Sequence, residues 1–261
     1  MSQPFLISSE QNPQFKIYKS LLTAKGIKEH RQFFLMGEKL VNEFLSGFNQ
    51  QSKCALYENF SIQGFVCSTK HPPPSSPDLR MTKLTPELFN QLDPLGTGSP
   101  LLLLSYTRIA EKDLSAQPIG LEILCPLGDP KNIGALARSA LAFGAQEIIL
   151  TQEAAHPFLP QSVKASAGAV LKIQFSRTGT LKQTPLCGKD FALDLHGKAL
   201  QSIRWPQNLR LWIGEEGPGL NLTEEQTKKM RFINIPTGPV ESLNAMVSAS
   251  LAMWEWKKSQ T

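Results

Sequence analysis

The chain has 261 residues, 41% of them apolar and 19% charged, with a formal net charge of +5. This is a globular composition, long enough to bury one large core or two ordinary ones, and it excludes a disordered or fibrous protein. The mild positive balance permits contact with nucleic acid without requiring it. Four dispersed cysteines (Cys54, Cys67, Cys125 and Cys187) with no CxxC among them argue against a disulfide scaffold. The four histidines are equally scattered, and no metal site is expected. The longest apolar runs, such as residues 101–104, are too short to cross a bilayer. Residues 1–10 lack the basic-then-apolar pattern of a secretory signal, so a cytoplasmic protein away from membranes is expected.

Residues 14–48 read as helical. Ile17, Leu21 and Leu22 recur at helical spacing, Gly26 interrupts, and Leu40, Val41, Phe44 and Leu45 form a second set. Lys16, Lys19, Lys25, Lys28 and Arg31 crowd this stretch against one acid, Glu29. They are candidate nucleic-acid contacts, although a solvated helical face accounts for the charge as well. Short strands are predicted over 54–57 and 64–67, with a stiff proline-rich loop over 71–77. Residues 101–106 read as a buried strand. The polar stretch 107–118 ends in Pro118 and predicts a boundary between a domain of residues 1–110 and one of residues 118–261.

The second part alternates strands and helices. Strands are predicted over 121–124, 147–150, 191–195, 211–213 and 232–235. A helix between the first two carries Ile133, Leu136, Ala137, Ala140 and Leu141 on one face, and Gly144 suits its C-terminal cap. Thr223 and Gln226 have capping-box spacing. A final helix is predicted to start at Ser242 and to carry Leu243, Met246, Val247, Ser250 and Trp254 on one face. Lys257 and Lys258 end it, where the helix dipole favours cations. This rhythm predicts an α/β fold with a mostly parallel sheet covered by helices.

Ligands of open parallel sheets bind where loops leave the carboxyl ends of strands. Three such loops stand out. Residues 129–138 read Asp-Pro-Lys-Asn-Ile-Gly-Ala-Leu-Ala-Arg, a capped helix start with Arg138 on its polar flank. Residues 213–220 read Ile-Gly-Glu-Glu-Gly-Pro-Gly-Leu. Their glycines let backbone approach a ligand, but their order is neither the dinucleotide fingerprint nor a phosphate loop. Residues 235–245 run from Ile235-Pro236 through a glycine- and proline-containing turn to Ser242-Leu243-Asn244. Singly, each loop has a plain structural reading.

Together, in this order, the three resemble the signature of the SpoU/TrmH family of knotted RNA methyltransferases. Asn132, Gly134 and Arg138 match its first motif. Gly214, Glu216, Gly217 and Gly219 match its second, and Ile235, Pro236, Ser242, Leu243 and Asn244 its third. The resemblance covers residues 119–257. Residues 15–45 are similar, more loosely, to the ribosomal-protein-like RNA-binding domain that often precedes such catalytic domains. Departures are Thr237 where methionine is common, Cys125-Pro-Leu-Gly128 before Asp129, and a third loop one residue short.

The resemblance implies a knotted catalytic domain acting as a homodimer through its C-terminal part. It also implies S-adenosylmethionine as cofactor, held near Gly214, Gly217, Gly219, Ile235, Pro236, Leu243 and Asn244. The implied reaction is methyl transfer to a ribose 2′-hydroxyl, with Arg138, Asn132, Glu216, Ser242 and Asn244 as the catalytic set. Ribosomal RNA is the expected substrate, with tRNA as the alternative. Lys16, Lys19, Lys25, Lys28 and Arg31 would contact it. A guanidinium carries N–H donors and no acceptor, so Arg138 suits an electrostatic clamp better than a literal base. One rival is a catalytically silent RNA-binding assembly factor of the same fold. Another, a small-molecule enzyme with a nucleotide cofactor, would need a phosphate loop directly after the first strand, and residues 125–132 are not one.

Overall fold

The computed structural model describes residues 5–49, 58–71, 79–214, 219–239 and 243–260. The chain forms two compact units, one of residues 1–108 with 156–172, the other of 109–155 with 173–261.

The first unit opens with strand β1 (Phe5–Ile7), helix α1 (Pro13–Ser20) and helix α2 (Ala24–His30). Asn12 caps α1, accepting from the Gln14 amide at 2.9 Å, and Thr23 caps α2, accepting from the Gly26 amide at 3.1 Å. Cap side chains satisfy amides that the first helical turn leaves orphaned. The helical run within residues 14–48 thus breaks at 21–23, not at Gly26, which lies inside α2. After α2, Arg31 takes a left-handed turn (φ 51°) into strand β2 (Gln32–Leu35), and helix α3 (Glu38–Asn49) follows. Strands β3 (Phe60–Ser68) and β4 (Met81–Leu84), helix α4 (Pro86–Leu92) and strand β5 (Leu101–Tyr106) complete the run. The expected strand over 54–57 and the proline loop beyond His71 lie outside the described residues. The strands order as β1-β4-β3-β5-β2, with β2 and β3 antiparallel to β5. Phe15, Tyr18 and Leu21 of α1 pack with Phe34, Val66, Leu84 and Leu103 in the core.

The second unit begins at strand β6 (Ala110–Glu111), earlier than Pro118. Strand β7 (Leu121–Cys125), helix α5 (Pro130–Phe143) and strand β8 (Glu147–Leu150) follow. Helix α6 (Pro160–Ala165) and a 3-10 turn (Ala169–Leu171) then belong to the first unit. This corrects the expectation of an unbroken domain over 118–261. The reason is aromatic: Phe158 stacks on Phe33 with ring centroids 4.6 Å apart and meets Phe60 and Tyr106 edge-on. The Tyr106 hydroxyl also lies 3.2 Å from His156 Nε2.

The chain resumes with strand β9 (Gln174–Arg177), strand β10 (Asp190–Ala199), strand β11 (Leu209–Trp212), helix α7 (Glu224–Lys229), strand β12 (Arg231–Asn234) and helix α8 (Ala245–Lys258). The expected capping box forms at α7, with Thr223 and Gln226 bonded reciprocally. Among the described residues the sheet has seven strands, ordered β12-β10-β11-β7-β8-β9-β6, and each neighbouring pair is parallel. Strands buried on both faces read as near-continuous apolar runs, as β7 and β11 do. Their exceptions, Glu122 and Arg210, are paired with each other. Among the described residues no helix is long and apolar enough to cross a membrane, and no cluster suited to a metal is present.

Candidate active site

Because the strands are parallel, the loops after β7, β11 and β12 leave the same edge of the sheet. The first is fixed by the start of α5. Asp129 accepts from the Lys131 amide at 2.8 Å, Pro130 occupies the first turn, and Gly144 ends the helix with φ 78°. These local signals are the ones the sequence shows. Asn132 is half-buried, Gly134 is buried, and Arg138 is exposed on the flank.

Helix α8 packs along α5. The Ser250 hydroxyl donates to Ser139 Oγ at 2.9 Å, and Trp254 sits against Phe143 with centroids 6.0 Å apart. Both pairs are 111 residues apart, so the two helices run parallel. Carried back along the helices, that offset sets Asn132 level with Leu243 and Asn244. The first and third loops thus lie at the same end of the helix pair, with both N-termini and their positive dipole ends on that side.

The third loop differs from expectation at its cap. Asn244, not Ser242, is the N-cap of α8: its Oδ1 accepts from the amides of Met246 (2.9 Å) and Val247 (3.3 Å). This gives Asn244 a structural duty that the sequence reading left unassigned. Ile235 and Leu243 are half-buried, whereas Pro236 and Gly238 are exposed. The helix also turns a different face inward than expected: Ala249, Ala252, Met253 and Trp256 are buried, while Val247, Leu251 and Trp254 face out.

In the second loop, a Cβ at Gly214 would come within 3.0 Å of the Gly219 carbonyl carbon, and Gly219 has φ 65°. Close backbone approach thus favours glycine at 214, and the left-handed φ favours it at 219. Glu216, Gly217 and Ser242 lie outside the described residues. One contact was not anticipated. Gly197 of β10 lies so close to β12 that a Cβ would sit 2.4 Å from the Ile233 nitrogen. Gly219 and Gly238 have open space where a side chain would stand.

Lys16 and Lys19 on α1, Lys25 and Lys28 on α2, and Arg31 after it are all exposed. Two consecutive helices therefore carry four of the five cations, and the fifth follows the second helix directly. Lys19 also donates to Gln91 Oε1 at 2.7 Å.

The opposite edge of the second sheet holds a network that motif reading missed. Arg210 is fully buried and donates to Glu122 Oε2 at 3.0 and 3.2 Å and to the Leu114 carbonyl at 3.2 Å. Its guanidinium lies 3.8 Å from Asp190 Oδ1, which also accepts from Trp212 Nε1 at 2.9 Å. Lys112 bridges Glu122 and Glu147. Burial pulls the Lys112 ammonium down, but its hydrogen bonds to both carboxylates outweigh this and raise its pKa. The only hint in the sequence is a charge inside each of two apolar strands.

Separating the two duties of Asn244 is straightforward. Asn244→Ala is expected to cost about 1 kcal/mol of stability through the lost cap. Asn244→Asp keeps the cap oxygen and should melt like the wild type. A loss of activity in Asn244→Asp alone would trace to the side-chain amide, and thermal melts beside activity assays would show it.

A family model described as the SpoU rRNA Methylase family matches residues 123–254. Among curated relatives, a protein named ribosomal RNA small subunit methyltransferase G 2, from Syntrophobacter fumaroxidans, is 34% identical over 97% of this chain and 49% of its own length. The chain thus spans about half the length of that relative. A Synechocystis protein named as an uncharacterized tRNA/rRNA methyltransferase is 27% identical over 97% of this chain and 94% of its own. In overall fold the chain is similar to an AdoMet-bound rRNA methyltransferase from Sinorhizobium meliloti, with a TM-score of 0.75, 22% identity and full coverage of both chains. The AdoMet complex of AviRb, a SpoU methyltransferase from Streptomyces viridochromogenes, gives 0.75 and 18% over 96% of this chain and 98% of that one.

Proposed function

The chain belongs to the SpoU rRNA methylase family, and we propose that it transfers a methyl group from S-adenosylmethionine to a ribose 2′-hydroxyl, with ribosomal RNA as the substrate. The observation that carries this reading is the parallel packing of α5 and α8, which levels Asn132 with Leu243 and Asn244, while Arg138 stands exposed further along α5. Ile235 and Leu243 would cover the adenine, and backbone around Gly214, Gly217, Gly219 and Pro236 would hold the cofactor. The knot of the family is part of this proposal. When bound, S-adenosylmethionine supplies an electrophilic methyl group on a sulfonium.

With so reactive a donor, the protein's work is alignment and charge. Arg138 clamps a phosphate of the RNA and stabilises the alkoxide that develops as the hydroxyl loses its proton. Asn132 and Asn244 orient the ribose, and Glu216 and Ser242 complete the set. The exposed cations of α1 and α2 bind the RNA backbone, making the first unit the RNA-binding domain. Val247 (48% exposed), Leu251 and Trp254 (50%) of α8, with Leu141 of α5, form an apolar stripe that a second copy of the chain would cover.

The test is to map 2′-O-methyl sites in total RNA with and without the gene, and to measure S-adenosylmethionine binding to the purified protein by calorimetry. Loss of one ribosomal site, micromolar binding and a dimer mass by light scattering are the expected results. Loss of a tRNA site instead would change the substrate. No lost site and no bound cofactor would favour a silent RNA-binding factor.

A further inference from the structure

The first unit contains a cavity of about 110 Å³, lined by none of the residues of the three loops. Pockets for whole cofactors start near roughly 300 Å³, so this one suits a ligand of about nucleobase size. Its walls are Gln14 and Tyr18 of α1, Gln32 of β2, Gln63 of β3, Arg80, and Thr82 of β4. We propose that it binds one unpaired purine base of the RNA, guanine by preference. The inference rests on the RNA-methyltransferase reading and names a part of the substrate that the first unit would hold.

The lining chemistry selects the ligand. Three carboxamides, each donor and acceptor, line the cavity with one guanidinium and two hydroxyls, beside Gly64 and the apolar Phe65, Val66 and Leu103, and no carboxylate or lysine is among the lining residues. A divalent cation would need carboxylates, and an apolar ligand would leave these groups unpaired. A heterocycle edge alternates donors and acceptors, and unpaired bases are read on such edges. The Arg80 fork matches guanine O6 and N7, while glutamine oxygens accept from N1–H and the exocyclic amine.

The floor is buried and has hydrogen-bonding capacity to spare. The Tyr18 hydroxyl and Thr82 Oγ1 are 3.3 Å apart, on residues only 5% and 3% exposed. One O–H donates to the other, which leaves the second proton for a ligand. The walls are also set in advance. Gly64 (φ 137°) lets β3 approach so closely that a Cβ there would sit 2.3 Å from the Arg80 carbonyl oxygen. That oxygen accepts from the Phe65 amide at 2.8 Å, which pins the Arg80 backbone. The strand register shifts between Ile62 and Gly64, a bulge that re-aims Gln63. Gln63 Nε2 donates to Ser105 Oγ at 2.9 Å, so its oxygen stays available. Helix α1 carries both this wall (Gln14, Tyr18) and two of the exposed cations (Lys16, Lys19), so a backbone contact and a base contact come from one element.

Fluorescence anisotropy with labelled pentanucleotides tests this, using all-uridine RNA and the same RNA with a central G, A or C. The wild type should bind the central-G pentamer about tenfold more tightly than all-uridine, the scale of one good bidentate contact. Arg80→Ala and Gln32→Ala should each erase that preference, so that the central-G pentamer binds no more tightly than all-uridine RNA does to the same variant. Arg80→Lys should fail to restore it, since an ammonium lacks the fork. Lys25→Ala with Lys28→Ala should instead weaken all four pentamers alike. Equal affinity for the four pentamers, no measurable binding of any, or a guanine preference kept in both pocket variants overturns the proposal. The methyltransferase reading fails separately, through absent cofactor binding and no lost 2′-O-methyl site.

Discussion

Arg138→Ala is expected to lower methyl transfer by about 10²–10³-fold while leaving S-adenosylmethionine binding and the melting temperature unchanged. The magnitude is that of removing one preorganised donor from a developing oxyanion. The side chain is exposed on α5, and its loss removes no packed atoms, so a stability effect within about 0.5 kcal/mol is the expectation. Arg138→Lys separates two roles. If the residue only neutralises a phosphate, lysine should recover most of the activity. If it must hold a phosphate oxygen and the alkoxide together, the planar fork is required and lysine should recover little. Asn132 is level with the cap of α8, so Asn132→Ala should reduce turnover at saturating RNA as well. Full activity of both alanine variants at saturating RNA would remove these residues from the catalytic set.

What could be read from the sequence was what is encoded locally. The Asp129–Pro130 start and Gly144 stop of α5, the Thr223–Gln226 box and the strand at 147–150 each depend on residues within a few positions of one another. The three loops were legible for the same reason, since a motif is a short-range pattern. Errors came where tertiary contact overrode that pattern. Phe33, Phe34 and Leu35 extend an apolar helical run on paper, yet they pair with β5 as a strand because Leu102, Leu103 and Leu104 offer a partner some 70 residues on. The segment 156–172 joins the first unit through Phe158, an aromatic residue whose neighbours are distant in the chain. Ser242 has the chemistry of a cap, but Asn244 does too, and only the helix start decides between them. The cavity beside Arg80 was invisible because its walls come from α1 and four strands of the sheet. No periodicity records such a convergence.

Arg210 presents the largest expected effect on folding. In sequence it is one cation in an apolar tetrapeptide, Leu-Arg-Leu-Trp. In the fold it has no solvent exposure and holds Glu122, 88 residues away, while anchoring the Leu114 carbonyl. Arg210→Ala would leave Glu122 and Asp190 as buried carboxylates facing a void, and breaking a buried pair from one side costs about 3–5 kcal/mol. For a chain of this size that is a fall in melting temperature of roughly 6–20 °C. The double change Arg210→Met with Glu122→Leu removes the Glu122 charge, while Asp190 keeps its bonds from Trp212 Nε1 and the Cys187 and Gly188 amides, and it should recover part of the loss. Lys112 adds a pH dependence whose sign is set by its raised pKa. Its contribution is complete below the ordinary lysine range and is lost as pH rises through the raised value. Lys112→Met should therefore flatten the alkaline limb of a melting-temperature profile and lower the plateau at neutral pH. A double variant no more stable than Arg210→Ala would show that the guanidinium acts mainly through its carbonyl contact with residues 114–116, and that the ion pair contributes little.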